Sequence, residues 1–484
     1  MEITDKPKKK RKKINRPKKK PELFVSSRYL EPRWSFMAQD KNQTAYIEGI
    51  SVKKLAEKYG TPVYIMVESE IRTRLRRFKA AFPYPKLEVQ YASKCNSNLE
   101  ILRIMREEGL NLDASSAGEL ILGLLADFEP KQMMFTNLYK SEQDIMFAAK
   151  LGIQAITIDS IEELKRVIKI TDAIEMKLDV FLRVNPIITL GKYTSKHQQY
   201  GIPHEYVKTA TNIALNSNNV NLVGYHFHGS YIENWNVYLM AAQKLLKLVK
   251  YAMDEGAKIR AIDLGGGFPV KYSAKKIFTP EDMGVKFIKE FRKLLKKYDL
   301  PEIKLIFEPG KFFVANSGVA LVRVVSRKNL GHKKKVITDG STYAMLPDPL
   351  VYKSYYDILP ATKMGSRWRQ RYDICGCTCD CIDILGKNRY LPTMKENDLL
   401  AIMDCGAYSN VMASNFNTLK RPPMILVRED GSTKLIRRRD RYSEMFSPEL
   451  DVLKIAAPSE LKALYNLYRV NLKKMWGISK NGKK

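Results

Sequence analysis

Between residues 87 and 307 eight short apolar runs alternate with amphipathic helical stretches, and this alternation constrains the fold more than any other feature of the chain. The strand candidates are Leu87–Tyr91, Leu112–Ala114, Met133–Phe135, Ala155–Ile158, Leu178–Val184, Leu222–Phe227, Ala261–Leu264 and Lys304–Phe307. Helical patterns fall between them, among them Ile101–Glu108, Glu142–Lys150, Ile161–Lys169, Tyr238–Glu255 and Gly284–Tyr298. Eight such units in roughly 240 residues predict an α/β fold, a (β/α)8 barrel, with a doubly wound open sheet as the alternative.

After Gly310 the pattern changes. Val319–Ser326, Lys334–Thr338, Tyr372–Cys377, Leu399–Asp404 and Pro423–Arg428 are strand-like with turn residues between them, which predicts a C-terminal β domain. The expected division is a disordered basic tail over 1–22, a segment over 23–67 joining the β domain, the barrel over 68–310, the β domain over 311–446 and a helical extension over 447–484.

The chain of 484 residues carries a formal charge of +31. Residues 1–20 hold eleven Lys/Arg against Glu2 and Asp5. The run Pro7-Lys-Lys-Lys-Arg-Lys-Lys13 suits a nuclear-import signal, a tail on nucleic acid or anionic lipid, or a solvated, self-repelling segment. The rest of the excess, +22, lies across the body and suggests anionic ligands or partners. No apolar run reaches the ~18 residues of a membrane span. No apolar signal core stands near the N-terminus, so the expected location is cytoplasmic. Cys375, Cys377, Cys379 and Cys381 alternate. On one face of an extended strand the outer two would be ~20 Å apart at ~3.3 Å per residue, too far for one tetrahedral zinc. Reduced thiols and no metal site are expected.

Lys94, in Tyr91-Ala-Ser-Lys94-Cys-Asn-Ser-Asn98, follows the first strand candidate. Burial there would lower its pKa and let it attack a carbonyl, although a strand-end lysine can also be merely half-exposed. Polar residues recur where the other strands end: Asp113, Asn137, Asp159, Arg183, His226 and His228, then Gly265-Gly-Gly267 and Glu308. In a barrel those ends form the reactive face. The glycines let backbone N–H groups approach an anion, and Glu308-Pro-Gly-Lys311 sets a carboxylate and a cation beside the same mouth. An aldehyde-binding lysine, a phosphate cradle, a carboxylate for a ring nitrogen and a histidine to stack on a ring together suit pyridoxal 5'-phosphate.

With these segments, and with Asp113-Ala-Ser-Ser-Ala-Gly-Glu119, Leu182-Arg-Val-Asn-Pro186, His226-Phe-His-Gly-Ser230, Cys379-Asp380, Asp404-Cys-Gly-Ala-Tyr408 and Ser414-Asn-Phe-Asn417, the chain resembles the fold-type III pyridoxal-phosphate decarboxylases. Within them it is most similar to the diaminopimelate decarboxylases, over about Leu55 to Phe446. The resemblance implies an alanine-racemase-like architecture and decarboxylation of a diamino or basic amino acid such as diaminopimelate, lysine or ornithine. It also implies a homodimer with sites at the interface. It gives Lys94 the role of Schiff-base lysine, Glu308 that of ring-nitrogen partner and His228 that of stacking on the ring. Asp113, Arg183, Ser230, Gly265, Gly266, Gly267, Lys311 and Tyr408 would help hold the cofactor. Cys379 would protonate the reacting carbon in the other subunit's site. Asp380, with Lys311 and Tyr408, would meet the substrate.

The departures from the family pattern matter. His228 abuts Gly229, which leaves open whether His226 or His228 stacks on the ring. Lys311 replaces an arginine, so a planar fork becomes a point charge. Leu346 stands where an arginine would meet a distal carboxylate, and Asp380 replaces a glutamate; both point to a cationic far end of the substrate. A racemase on the same fold would place an arginine rather than Glu308 at the ring nitrogen. A non-enzymatic regulator would have no need of Lys94, Glu308 and Cys379.

Overall fold

The computed structural model describes residues 22–24, 30–272 and 277–459. The predicted tail at 1–22, except Glu22, and the end of the C-terminal extension lie outside them; Ser447–Ala456, at its start, is a helix.

Eight strands close into a parallel barrel: Leu87–Ala92, Asn111–Ala114, Met133–Thr136, Ala155–Ile158, Leu178–Asn185, Val220–His226, Ala261–Asp263 and Lys304–Phe307. Closure comes from pairing of the fourth strand with the fifth and of the eighth with the first. The open-sheet alternative is therefore excluded. Helices follow the strands and cover them, and Ser116, Ser141, Ser160 and Thr279 cap four of these through side-chain oxygens that accept backbone N–H bonds. Met134, Ala155, Phe181, Val223, Ala261 and Ile306 fill the middle of the barrel. Towards the C-terminal ends the interior turns polar, with Asp113, Thr136, Thr157, Arg183, His226 and Asp263 all buried. That polar layer is the floor of the site.

The second domain is a β-sheet in which Gly318–Asn329 is the longest strand. Its first half pairs with Val63–Val67 and Leu399–Ile402, and its second half with Lys334–Thr338. Val63–Val67 lies between Gly318–Asn329 and Met424–Val427, antiparallel to one and parallel to the other. Gln370–Cys375 and Ile384–Leu391 extend the far side. No helix among the described residues is long and apolar enough to cross a membrane.

Candidate active site

Lys94 sits in a 3-10 turn, Ser93–Cys95, directly after the first barrel strand. Glu119 staples this turn to the next loop, accepting from Ser93 Oγ and from Ser115 N–H at 2.7 Å each. Lys94 Nζ lies 3.2 Å from Asp113 Oδ2, with 34% of its side chain exposed at the mouth. Burial works to lower its pKa, but the nearby Asp113 and Glu308 carboxylates outweigh it and hold the ammonium above its usual range. The expectation that burial would lower this pKa is thus overturned. Asp113 is pushed up to about 7 by burial and by the charge of Glu308, against the pull of Lys94.

Glu308 follows the eighth strand. Its Oε2 lies 3.3 Å from His226 Nε2 and 3.8 Å from His228 Nδ1, while Oε1 is buried without a hydrogen-bond partner. Burial opposes its charge, yet His226, His228 and Lys94 outweigh that and hold it ionised well below the usual carboxylate range. His226 is fully enclosed, whereas His228 opens to the mouth. Its Nδ1 accepts the Gly266 N–H at 3.3 Å, and burial lowers its pKa to about 4, so the ring is neutral near pH 7. Gly265 and Gly267 have φ of +65° and +98°. A Cβ on Gly267 would stand 2.3 Å from Gly229 O, and one on Gly266 2.6 Å from Glu308 O. Only glycine leaves this loop open. Ser230 lies half-buried in the turn after Gly229.

Arg183, on the fifth strand, holds Asp159 at 3.1 Å and lies 4.5 Å over the Tyr200 ring, which is itself edge-on to His228. Asn137 donates to Ser115 O at 2.9 Å and closes a loop. Lys311 Nζ stands 5.6, 5.8 and 5.9 Å from the rings of Tyr408, Tyr272 and Tyr231. Burial lowers its pKa, with Asp348 opposing. Tyr408, at φ +56°, donates its N–H to Cys95 O at 2.8 Å, which seats this β-domain turn on the lysine turn of the barrel.

Cys379 and Asp380 are held elsewhere. Cys379 is exposed, its N–H on Asn417 Oδ1 at 3.3 Å, and Asp380 Oδ2 accepts from Tyr343 OH at 2.5 Å. These partners belong to the β domain of the same chain, not to the barrel mouth. The alternating cysteines do not form one extended face. The strand ends at Cys375, and the chain turns back around Asp383. Asp383 Oδ1 accepts from Thr342 N–H and Oγ1 at 2.7 and 2.8 Å, and Oδ2 from Thr378 N–H and Oγ1 at 3.1 and 2.7 Å.

Leu346 is fully buried in the core and faces no site. Two residues on, Asp348 does. Tyr356 OH donates to its Oδ2 at 2.7 Å, while Oδ1 is buried without a hydrogen-bond partner. Burial raises its pKa against the pull of Tyr356 and Lys311. Sequence reasoning missed Asp348, Asp383, Tyr272 and Tyr343. The signal available was an acid inside Leu346-Pro-Asp-Pro349 and another closing the cysteine run.

The residues at the mouth fit pyridoxal phosphate. A buried carboxylate oxygen without a partner waits beside a lysine, a neutral imidazole faces the same opening, and a glycine loop stands open.

Residues 68–315 match the pyridoxal-binding domain of the pyridoxal-dependent decarboxylases. The diaminopimelate decarboxylase of Archaeoglobus fulgidus is 32% identical over 410 residues, covering 83% of this chain and 96% of that one. That of Pseudomonas aeruginosa is 33% identical over 411 residues, covering 84% and 96%. The crystal structure of the Methanocaldococcus jannaschii enzyme in complex with L-lysine superimposes with a TM-score of 0.80 at 29% identity, over 86% and 98% of the two chains. A lysine/ornithine decarboxylase from Vibrio vulnificus shares the fold, with a TM-score of 0.68 at 23% identity over 78% and 96%. The chain belongs to the pyridoxal-dependent amino-acid decarboxylases.

Proposed function

We propose that this decarboxylase acts on a basic amino acid whose far end is an ammonium, as in lysine or ornithine, and works as a homodimer with shared sites. Bound pyridoxal phosphate supplies an aldehyde for the substrate amine and a ring that takes up the electron pair left when CO2 departs. Lys94 would hold the cofactor, and Glu308 Oε1 would accept a hydrogen bond from the protonated ring nitrogen. His228, neutral, would lie on the ring, with Arg183 and Tyr200 fixing its position. Asp113 would hold the charge of Lys94. Ser230, Gly265, Gly266, Gly267 and Tyr408 would surround the phosphate, with Lys311 as the nearby cation.

The observation that carries the substrate reading is Asp348: a buried acid with one oxygen unpartnered, in the tyrosine-lined wall that also holds Lys311. An ammonium arriving there gains a charge-assisted hydrogen bond, and an additional carboxylate meets a like charge. Cys379 and Asp380 stand on an exposed loop, which suits delivery of a proton donor and a second acid to the site of a partner subunit. The test is CO2 release from diaminopimelate, lysine, ornithine and arginine. A tenfold or larger preference in kcat/KM for lysine or ornithine over diaminopimelate is expected, and the reverse preference would restore the relatives' substrate.

A further inference from the structure

The charge of the body has a focus that decarboxylation does not use. Three neighbouring stretches of the β-sheet, 327–336, 364–375 and 384–391, hold ten lysines and arginines against one acid, Asp373. Asp373 is itself buried and bound to Lys333 at 2.7 Å. Pairing brings the stretches together: Lys335 lies opposite Lys328 and Asp373, and Arg371 opposite Tyr390. Val336 and Ile374, the next residues along, face the core; in the row itself Lys328 and Arg371 are exposed and Lys335 half-buried, with Asp373 beneath them.

Two aromatic rings stand among these charges. Trp368 is 40% exposed and Tyr390 44% exposed, their rings edge-to-face at 5.5 Å. Arg371 lies 5.6 Å from the Tyr390 ring, and Arg367, Arg369, Lys328, Lys333 and Lys387 are exposed around them. The patch occupies the Gln370 end of the strand Gln370–Cys375. The Cys379 loop leaves the other end, ~17 Å away at ~3.3 Å per residue.

We propose that this end of the β domain binds single-stranded nucleic acid. Arginines would meet phosphates, and the exposed rings would offer faces on which bases stack, a combination a simple counter-ion surface does not need. An anionic membrane would also meet these charges and take the rings at its headgroup boundary, so vesicles form the competing arm of the test.

The test uses the full-length holoenzyme and fluorescein-labelled oligo(U) and oligo(dT) of about 20 nucleotides, longer than the ~4–16 that such sites cover. Anisotropy titrations at several salt concentrations give affinity and salt slope. The triple variant Arg367→Ala, Arg369→Ala, Arg371→Ala is expected to weaken binding tenfold or more and to flatten the slope by about 2, at ~0.7 per lost phosphate contact. Trp368→Ala is expected to weaken binding roughly tenfold with an unchanged slope, since stacking releases no counter-ions. Decarboxylation should be unchanged in both, which also reports that they fold. Preference for one oligonucleotide identifies RNA or DNA as the ligand. Equal affinity of wild type and triple variant would overturn the proposal, because the basic tail would then account for all binding. Binding to phosphatidylserine vesicles with none to either oligonucleotide would overturn it in favour of a membrane.

Discussion

Glu308 Oε2 stands 3.3 Å from His226 Nε2, and the other oxygen of the same carboxylate is left buried and unpartnered. One histidine thereby fixes the acid while its second oxygen stays available to a ligand. Replacing Glu308 with Gln keeps the shape and removes the charge that would keep a ring nitrogen protonated. We expect kcat to fall roughly 10²- to 10³-fold, the scale of losing a preorganised electrostatic contact, with cofactor content largely kept. Steady-state kinetics with a cofactor assay checks this, and a variant within threefold of wild type would remove Glu308 from the chemistry.

Lys94 should be the lysine that holds the cofactor. Borohydride reduction of the holoenzyme followed by peptide mapping is expected to place the label on Lys94. A label on Lys311, the other lysine at the mouth, would reassign both residues.

Asp348 should set substrate choice. Asp348→Asn keeps the hydrogen bond from Tyr356 and removes the charge. With lysine or ornithine as substrate, kcat/KM is expected to fall roughly 10- to 100-fold, the value of a charge-assisted hydrogen bond. A rise in KM for lysine or ornithine is the form such a lost binding contact takes, whereas equal loss for diaminopimelate would point to a structural role.

Shared sites predict complementation. Lys94→Ala and Cys379→Ala subunits, each inactive alone, should regain about a quarter of wild-type activity on mixing, because half of randomly formed pairs keep one intact site. Demonstrated subunit exchange without recovery would rule out shared sites.

Asp440 anchors the loop that carries Asn415 and Asn417. It accepts from Arg421 Nε at 2.9 Å and Asn415 Nδ2 at 3.0 Å, and pairs with Arg437. Burial works against its charge, but these bonds win and hold its pKa down to about 2. A carboxylate depressed in the folded state contributes stability above its ordinary pKa and loses it as the pH falls through the folded value. About two pH units correspond to about 2 kcal/mol, lost between about pH 4 and pH 2. Asp440→Asn should lower Tm near pH 7 by several degrees and leave little difference from wild type near pH 2, as a calorimetric pH series would show.

The barrel was legible because its strands are short, largely buried and mostly apolar, and recur at regular spacing between helical patterns. All eight were placed within about two residues of their limits in the structure. Lys94, Asp113, Arg183, His228 and Glu308 converge because strand ends converge, a property of the fold that needs no side-chain detail. The cysteine run was misread because period-2 spacing implied a strand. Asp383 bends the chain there through Thr342, a residue 41 positions away, and no local pattern carries that information. Leu346 was misplaced because nothing in a loop fixes which residue turns inward; packing buried Leu346 and left Asp348 at the wall.

The position of Val63–Val67 fixes an order of events during synthesis. This segment leaves the ribosome before the barrel, yet one of its strand neighbours begins at Gly318 and the other at Met424. The barrel, complete by Phe307, can close while the early strand still waits for both flanks. Nascent chains stalled after Phe307 has cleared the ribosome, and before Gly318–Asn329 has, should therefore protect the barrel from protease and leave the region before residue 68 cleavable. Release of the later segment then sets Val63–Val67 beside Met424–Val427, 360 positions away in the chain, in one sheet.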